Sequence, residues 1–179
     1  EAILAEVSEL AEAGIKEVVL TGIHISSYGK DKNNEGALIE LIEAISKIKG
    51  IKRIRLGSLE PGIITEEFVE RISSNSKVCP HFHLSLQSGC DSVLKRMNRK
   101  YTCEQYFEKC DMLRKAYKSP ALTTDVIVGF PGETEEEFAE TVRYLTELNL
   151  YEMHIFKYSP RRGTVAAAMK EQVAPEIKN

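Results

Sequence analysis

Residues 81–106 read HFHLSLQSGCDSVLKRMNRKYTCEQY, and this stretch changes character twice. It begins as a buried strand near 81–87, breaks at Gln87-Ser88-Gly89, and becomes a basic helix with cysteines on either side. A turn needs the glycine but not the glutamine. The break is therefore either punctuation between strand and helix or one wall of a site. Working outward, the alternation repeats. Upstream, Ile3, Leu4, Val7, Leu10 and Ala11 fall at helical spacing and Gly14 stops the helix. Short β-branched runs near 16–23 and 52–58 read as strands, with an amphipathic helix over 37–50 between them. Thr65 caps a helix over 65–75 whose first turn carries Glu66 and Glu67, the charge sign that the helix dipole favours there. Downstream, Thr102 and Gln105 have capping-box spacing for a helix over 102–119. A strand near 121–128 runs into Gly129-Phe130-Pro131-Gly132, and Thr134 caps an acidic-fronted helix over 133–149. A last strand near 152–158 precedes a short helix over 163–170.

Strands alternating with helices of this length predict parallel strands joined by right-handed crossovers. No GxGxxG or P-loop follows any strand, which weighs against a nucleotide-binding doubly wound sheet. Every strand instead ends in polar chemistry: Thr21-Gly22-Ile23-His24, Ser58-Leu59-Glu60-Pro61, Gln87-Ser88-Gly89, Gly129-Phe130-Pro131-Gly132 and Tyr158-Ser159-Pro160-Arg161. In α/β barrels the ligand site forms at that face, from loops after several different strands. The expected fold is α/β, a partial (open) TIM-type barrel of parallel strands, in one domain over residues 1–179.

The bulk properties bound the function. A chain of 179 residues, 42% hydrophobic and 28% charged, has the composition of a globular protein with a real core. It contains no run of eighteen apolar residues and opens with no signal peptide, so the expectation is a cytoplasmic protein without a membrane partner. A net charge of −3 argues against gripping nucleic acid through overall positive potential and leaves local patches open. Cys79, Cys90, Cys103 and Cys110 make no CxxC pair, and they read as small structural residues. His81 and His83 share a strand face, but two histidines without a third ligand make a weak metal site.

Five motifs in order, VVLTGIHISSYG (18–29), RIRLGSLEP (53–61), FHLSLQSGCDSVLKRMNRKYT (82–102), TTDVIVGFPGET (123–134) and IFKYSPRRGT (155–164), resemble the radical S-adenosylmethionine methylthiotransferases. Those enzymes attach a methylthio group to a tRNA adenosine beside the anticodon or, in one branch, to a ribosomal protein. TGIHISSYG and RLGSLEP are most similar to the branch acting on N6-threonylcarbamoyladenosine; the isopentenyladenosine branch usually has Gln-Asn in place of Ile23-His24. The resemblance implies a radical SAM core lacking its first strand, S-adenosylmethionine as cosubstrate and tRNA as partner. It also implies [4Fe–4S] clusters in a longer parent. The family's CxxxCxxC loop is absent from these residues, as are the expected amino-terminal cluster domain and carboxyl-terminal TRAM domain. The piece alone is expected to be inactive, without a cluster of its own.

The resemblance also gives the strand ends roles. Thr21, Gly22 and His24 fall near the methionine amino group, although a turn glycine with a half-buried histidine explains them equally. Ser58 and Glu60 would accept from an ammonium or ribose hydroxyl, or merely cap before Pro61. Gln87 and Ser88 face the cosubstrate, Arg99 meets its carboxylate, and Asp125, Ile127 and Gly129 pack beside the adenine, whose edge the backbone near Phe156 and Tyr158 reads. Gly132 and Glu133 shape the turn, and Arg161 faces the mouth. Lys95, Arg96 and Lys100 either form a solvated helix face or meet tRNA phosphates. A non-radical barrel lyase using Lys157 or Glu60 is the rival reading, and a pure RNA-binding module the third.

Overall fold

The computed structural model describes residues 1–178. They divide into two compact units, Glu1–His83 with Lys109–Ala121, and Leu84–Glu108 with the chain from Leu122 onward.

In the first unit, α1 (Ala2–Glu12) ends where Gly14 adopts φ +91°, a conformation that costs a residue without Cβ little. β1 (Glu17–Leu20) follows, then two 3-10 turns, α2 (Ala37–Ser46), β2 (Arg53–Leu56), α3 (Glu66–Ser73) and β3 (His81–His83). β1 and β2 pair in parallel from Glu17 against Arg53 to Leu20 against Leu56, and Ile54 forms a further parallel bridge to Val78. α2 buries Leu38, Ile39, Ile42 and Ile45, the helical spacing that points one stripe at a core. Phe68, Val69 and Ile72 of α3 and Ile54 and Leu56 of β2 are buried with them. Each such side chain contributes roughly 1.5–3 kcal/mol on leaving water. Thr65 accepts the Phe68 N–H at 3.1 Å, as its place before the helix predicts.

The second unit holds α4 (Asp91–Arg96), the start of α5 (Cys103–Ala116), most of β4 (Ala121–Val128), α6 (Glu135–Leu148), β5 (Glu152–Lys157) and α7 (Val165–Ala168). β4 and β5 run parallel from Thr123 against Glu152 to Val128 against Lys157. On the other edge of β4 lies the chain after Leu84. The Leu84 N–H donates to Thr123 O and the Gln87 N–H to Asp125 O, both at 2.9 Å. Three residues thus advance on one strand where its partner advances two, so Ser85 and Leu86 form a bulge. The capping box of α6 is complete, Thr134 and Glu137 each bonding the other's backbone N–H. Thr102 and Gln105 make the same reciprocal pair at the head of α5.

Among the described residues, the β1–β2 and β4–β5 pairs and both isolated bridges are parallel. The third strand departs from expectation. Sequence reading ran it unbroken over 81–87, whereas the regular strand stops at His83 and the bulge takes over.

Candidate functional site

The strand ends of the first unit carry one polar pair. His24 Nε2 and Glu60 Oε1 stand 2.9 Å apart, joining the residues that follow β1 and β2, with both side chains about half exposed. Each is held by its backbone as well. The His24 carbonyl accepts the Ser27 N–H and hydroxyl, and the Glu60 N–H donates to Ser26 Oγ at 3.0 Å. A cavity of about 350 Å³ opens beside Glu60, lined among others by Ser26, Lys30, Thr65 and Glu67. Thr21, Gly22 and Ser58 are exposed. A Cβ on Gly22 would meet nothing within 4 Å, so packing inside the unit does not demand glycine there.

The second unit holds the remaining residues in distinct settings. Gln87 has φ +77°, a left-handed conformation uncommon for a residue with a side chain. Its N–H and C=O are both laddered to β4, through Asp125 O and the Ile127 N–H. Ser88 is fully buried, its hydroxyl 3.2 Å from Thr141 Oγ1 and accepting the Cys90 N–H. That is a packing role at the strand-to-helix turn. Asp125 lies opposite His154 in the β4–β5 register, and its Oδ1 is 3.2 Å from His154 Nδ1. Ile127 is half-buried on the same side of β4.

Gly129, at φ +69°, donates its N–H to a carboxylate oxygen of Glu133. Burial pushes the Glu133 carboxyl up, against the N–H bonds from Gly129 and Phe130, and its second oxygen has no partner among the described residues. The Tyr158 ring meets Phe130 edge-on at 5.3 Å, and its carbonyl accepts from Lys178 Nζ at 3.1 Å. The Arg161 side chain is exposed, while its carbonyl receives the Thr164 N–H and hydroxyl.

The basic stretch separates into unlike members. Lys95 and Lys100 are exposed and, with Arg99, line a cavity of about 300 Å³ at the head of α5. Arg99 is half-buried, and its Nε has no hydrogen-bond partner among the described residues. Arg96 points elsewhere. It forms an ion pair with Glu137 at 2.5 Å and donates to Gly132 O, which accounts for its charge inside the fold.

Sequence reasoning missed several residues that hold these positions. Tyr101 donates its hydroxyl to both Ser85 O and Leu86 O at 2.9 Å, and Tyr106 donates to Leu84 O at 2.9 Å. Thr124 Oγ1 accepts the Leu86 N–H at 3.0 Å and donates to Leu84 O. The available signal was a threonine inside a strand and two tyrosines within six residues of a basic run. His154 carried no such signal, since only the β4–β5 register sets it opposite Asp125.

Comparison with known proteins extends these observations. The model of the radical SAM superfamily matches residues 1–145. The threonylcarbamoyladenosine tRNA methylthiotransferase MtaB of Bacillus subtilis is 45% identical over all 179 residues, which cover 40% of that protein. The tRNA-2-methylthio-N(6)-dimethylallyladenosine synthase of Thermoanaerobacter pseudethanolicus is likewise 45% identical over the whole chain, which covers 38% of it. The chain thus spans about two fifths of the length of these relatives. Among solved structures, coproporphyrinogen III oxidase (HemN) from Escherichia coli, a radical SAM enzyme, superposes with a TM-score of 0.76 at 18% identity. That match covers 99% of this chain and 41% of the other. The Kitasatospora setae radical S-adenosylmethionine methyltransferase TsrM gives a TM-score of 0.68 at 17% identity, covering 87% of this chain and 30% of that one.

Proposed function

The chain belongs to the radical SAM superfamily, and from that premise we propose that it is the S-adenosylmethionine-binding core of a tRNA methylthiotransferase acting on N6-threonylcarbamoyladenosine. The observation that carries the reading is identity of 45% held across all 179 residues with a methylthiotransferase of that name. Membership of the superfamily sets aside the non-radical lyase and the pure RNA-binding module, so Lys157 needs no catalytic role. The dimethylallyladenosine synthase is equally similar, so the dimethylallyl substrate is the second reading. The Ile23-His24 pair at the end of β1 favours the first.

The residues fit the cosubstrate. An amide at a strained backbone, a half-buried carboxylate and an unpartnered guanidinium nitrogen are complementary to ribose hydroxyls and an amino-acid carboxylate. In this reading Gln87 and Asp125 hold the ribose, Arg99 pairs with the methionine carboxylate, and Ile127 and Gly129 form the adenine wall. In the first unit, the proposed roles of Thr21, Gly22, His24, Ser58 and Glu60 rest on the family resemblance of their strand ends. Tyr158 and Arg161 are kept as contacts of the last strand end. Ser88 supports Gln87 from behind rather than touching the cosubstrate.

The cysteines do not fit an iron–sulfur cluster. Cys79, Cys90 and Cys110 are buried free thiols, and burial together with the Asp91 carboxylate pushes the Cys103 thiol up, away from the thiolate that ligation requires. The reading therefore places the cluster ligands outside residues 1–179, on the parent protein. With its cluster, the cosubstrate supplies a radical able to open an unactivated carbon–hydrogen bond. Lys95 and Lys100 are the tRNA-facing cations; Arg96 is committed to Glu137.

Two sets of variants in the full protein separate these roles. Gln87→Ala should weaken S-adenosylmethionine binding about tenfold, the consequence of an unmade hydrogen bond worth ~1.4 kcal/mol, and leave tRNA affinity unchanged. Lys95→Ala with Lys100→Ala should weaken tRNA binding and flatten its salt dependence, because each lost phosphate contact releases fewer counterions. If both sets lose only thermal stability, the stretch is punctuation and the proposal fails.

A further inference from the structure

Gln87 holds a conformation that its own chemistry disfavours, so something outside the residue must impose it. A bulge leaves its extra backbone groups without ladder partners, and here the carbonyls of Ser85 and Leu86 are both taken by one side-chain hydroxyl, that of Tyr101, at 2.9 Å each. The Leu86 carbonyl belongs to the peptide group that directly precedes Gln87. Rotation about the N–Cα bond of Gln87 is rotation of that peptide plane relative to the residue, so a bond that pins the Leu86 carbonyl pins φ of Gln87. The N–H of that same peptide group donates to the Asp125 carbonyl, so Tyr101 and the ladder hold the plane from opposite edges, and on the other side of Gln87 its own carbonyl accepts the Ile127 N–H. Thr124 takes the Leu86 N–H, so both ends of the Ser85–Leu86 peptide have side-chain partners.

We propose that Tyr101 is a positioning residue: its hydroxyl holds the bulge in the one shape that gives Gln87 its left-handed backbone, and so aims the Gln87 amide. The assignment rests on the reading of Gln87 as a cosubstrate contact, but the clamp itself is a statement about backbone geometry and can be tested separately. Tyr106 supplies the comparison. It is a second tyrosine hydroxyl on the same segment, fully buried, but it donates to the Leu84 carbonyl before the bulge. Leu84 O also receives Thr124, so losing Tyr106 leaves that carbonyl a partner and leaves the bulge peptides untouched.

The test compares Tyr101→Phe with Tyr106→Phe, each removing one hydroxyl and no ring. Backbone φ of residue 87 is read by NMR scalar coupling or a crystal structure, and S-adenosylmethionine affinity by titration calorimetry on the cluster-loaded full protein. Tyr101→Phe should carry φ of Gln87 to negative values and weaken binding about five- to tenfold, the range of one net hydrogen bond. Tyr106→Phe should lower the melting temperature and leave both φ and affinity as they are. Gln87 remaining left-handed in Tyr101→Phe overturns the proposal, as does an equal effect of the two variants on φ. If φ shifts in Tyr101→Phe while neither it nor Gln87→Ala changes affinity, the clamp stands and the reading of Gln87 as a cosubstrate contact is what fails.

Discussion

Glu137 serves three neighbours at once: the Arg96 guanidinium, the Ser92 hydroxyl and the Thr134 N–H. The Arg96 bonds, aided by the other two, hold its carboxyl at about 2, against an ordinary value of 4.5, although partial burial works the other way. A carboxylate depressed in the folded state contributes stability above its unfolded pKa and loses it as pH falls toward the folded one. The contribution here is ~2 kcal/mol after allowance for solvent screening of a pair that keeps part of its exposure. Urea denaturation from pH 7 to pH 2 should therefore show stability falling below about pH 4.5 in the native chain. Glu137→Gln should start lower at pH 7 and lose less across that range. Parallel curves for the two would contradict the assignment. Arg96 also shows a limit of residue-scale reading. In the sequence it is one of four cations in a basic run, and nothing local distinguishes it from Lys95. Only the placement of α6 reveals that Arg96 neutralises a carboxylate 41 residues away.

At the scale of elements, helix starts were legible because their signals are local: Thr65, Thr102 and Thr134 all cap as their spacing predicts. Thr134→Ala removes half of a reciprocal box at the head of a 14-residue helix and should cost about 1 kcal/mol, seen as a lower denaturation midpoint with an unchanged slope. A loss under a few tenths would mean that the acidic first turn carries the helix start alone. Strands β1, β2, β4 and β5 were likewise recovered to within a few residues from β-branched runs and their stops. The bulge was not. Ser85 and Leu86 continue the run of a strand, and a one-residue insertion is defined by its partner's register, which lies 38 residues downstream. The candidate site depended on the same distinction. Residues named by strand ends were legible, whereas Tyr101, Thr124 and His154 act through pairings that only the folded chain supplies.

At the scale of the molecule, a net charge of −3 coexists with a reading in which RNA is the substrate, so attraction must come from local cations and not from overall potential. β5 is exposed along its whole length, with Ile155 and Phe156 more than half exposed, and the chain spans only about two fifths of its relatives. The central claim is one of chemistry, and it is tested most directly by the product. The full protein, with its clusters reconstituted, should be incubated with S-adenosylmethionine, a reductant and a sulfur source. Two tRNAs would be compared, one bearing N6-threonylcarbamoyladenosine beside the anticodon and one bearing the dimethylallyl group, with nucleosides analysed by mass spectrometry. The account predicts one added methylthio group on the threonylcarbamoyladenosine and none on the dimethylallyladenosine. Modification of the dimethylallyl nucleoside instead would move the protein to the second reading, and cosubstrate cleavage without methylthio transfer to either tRNA would contradict the account.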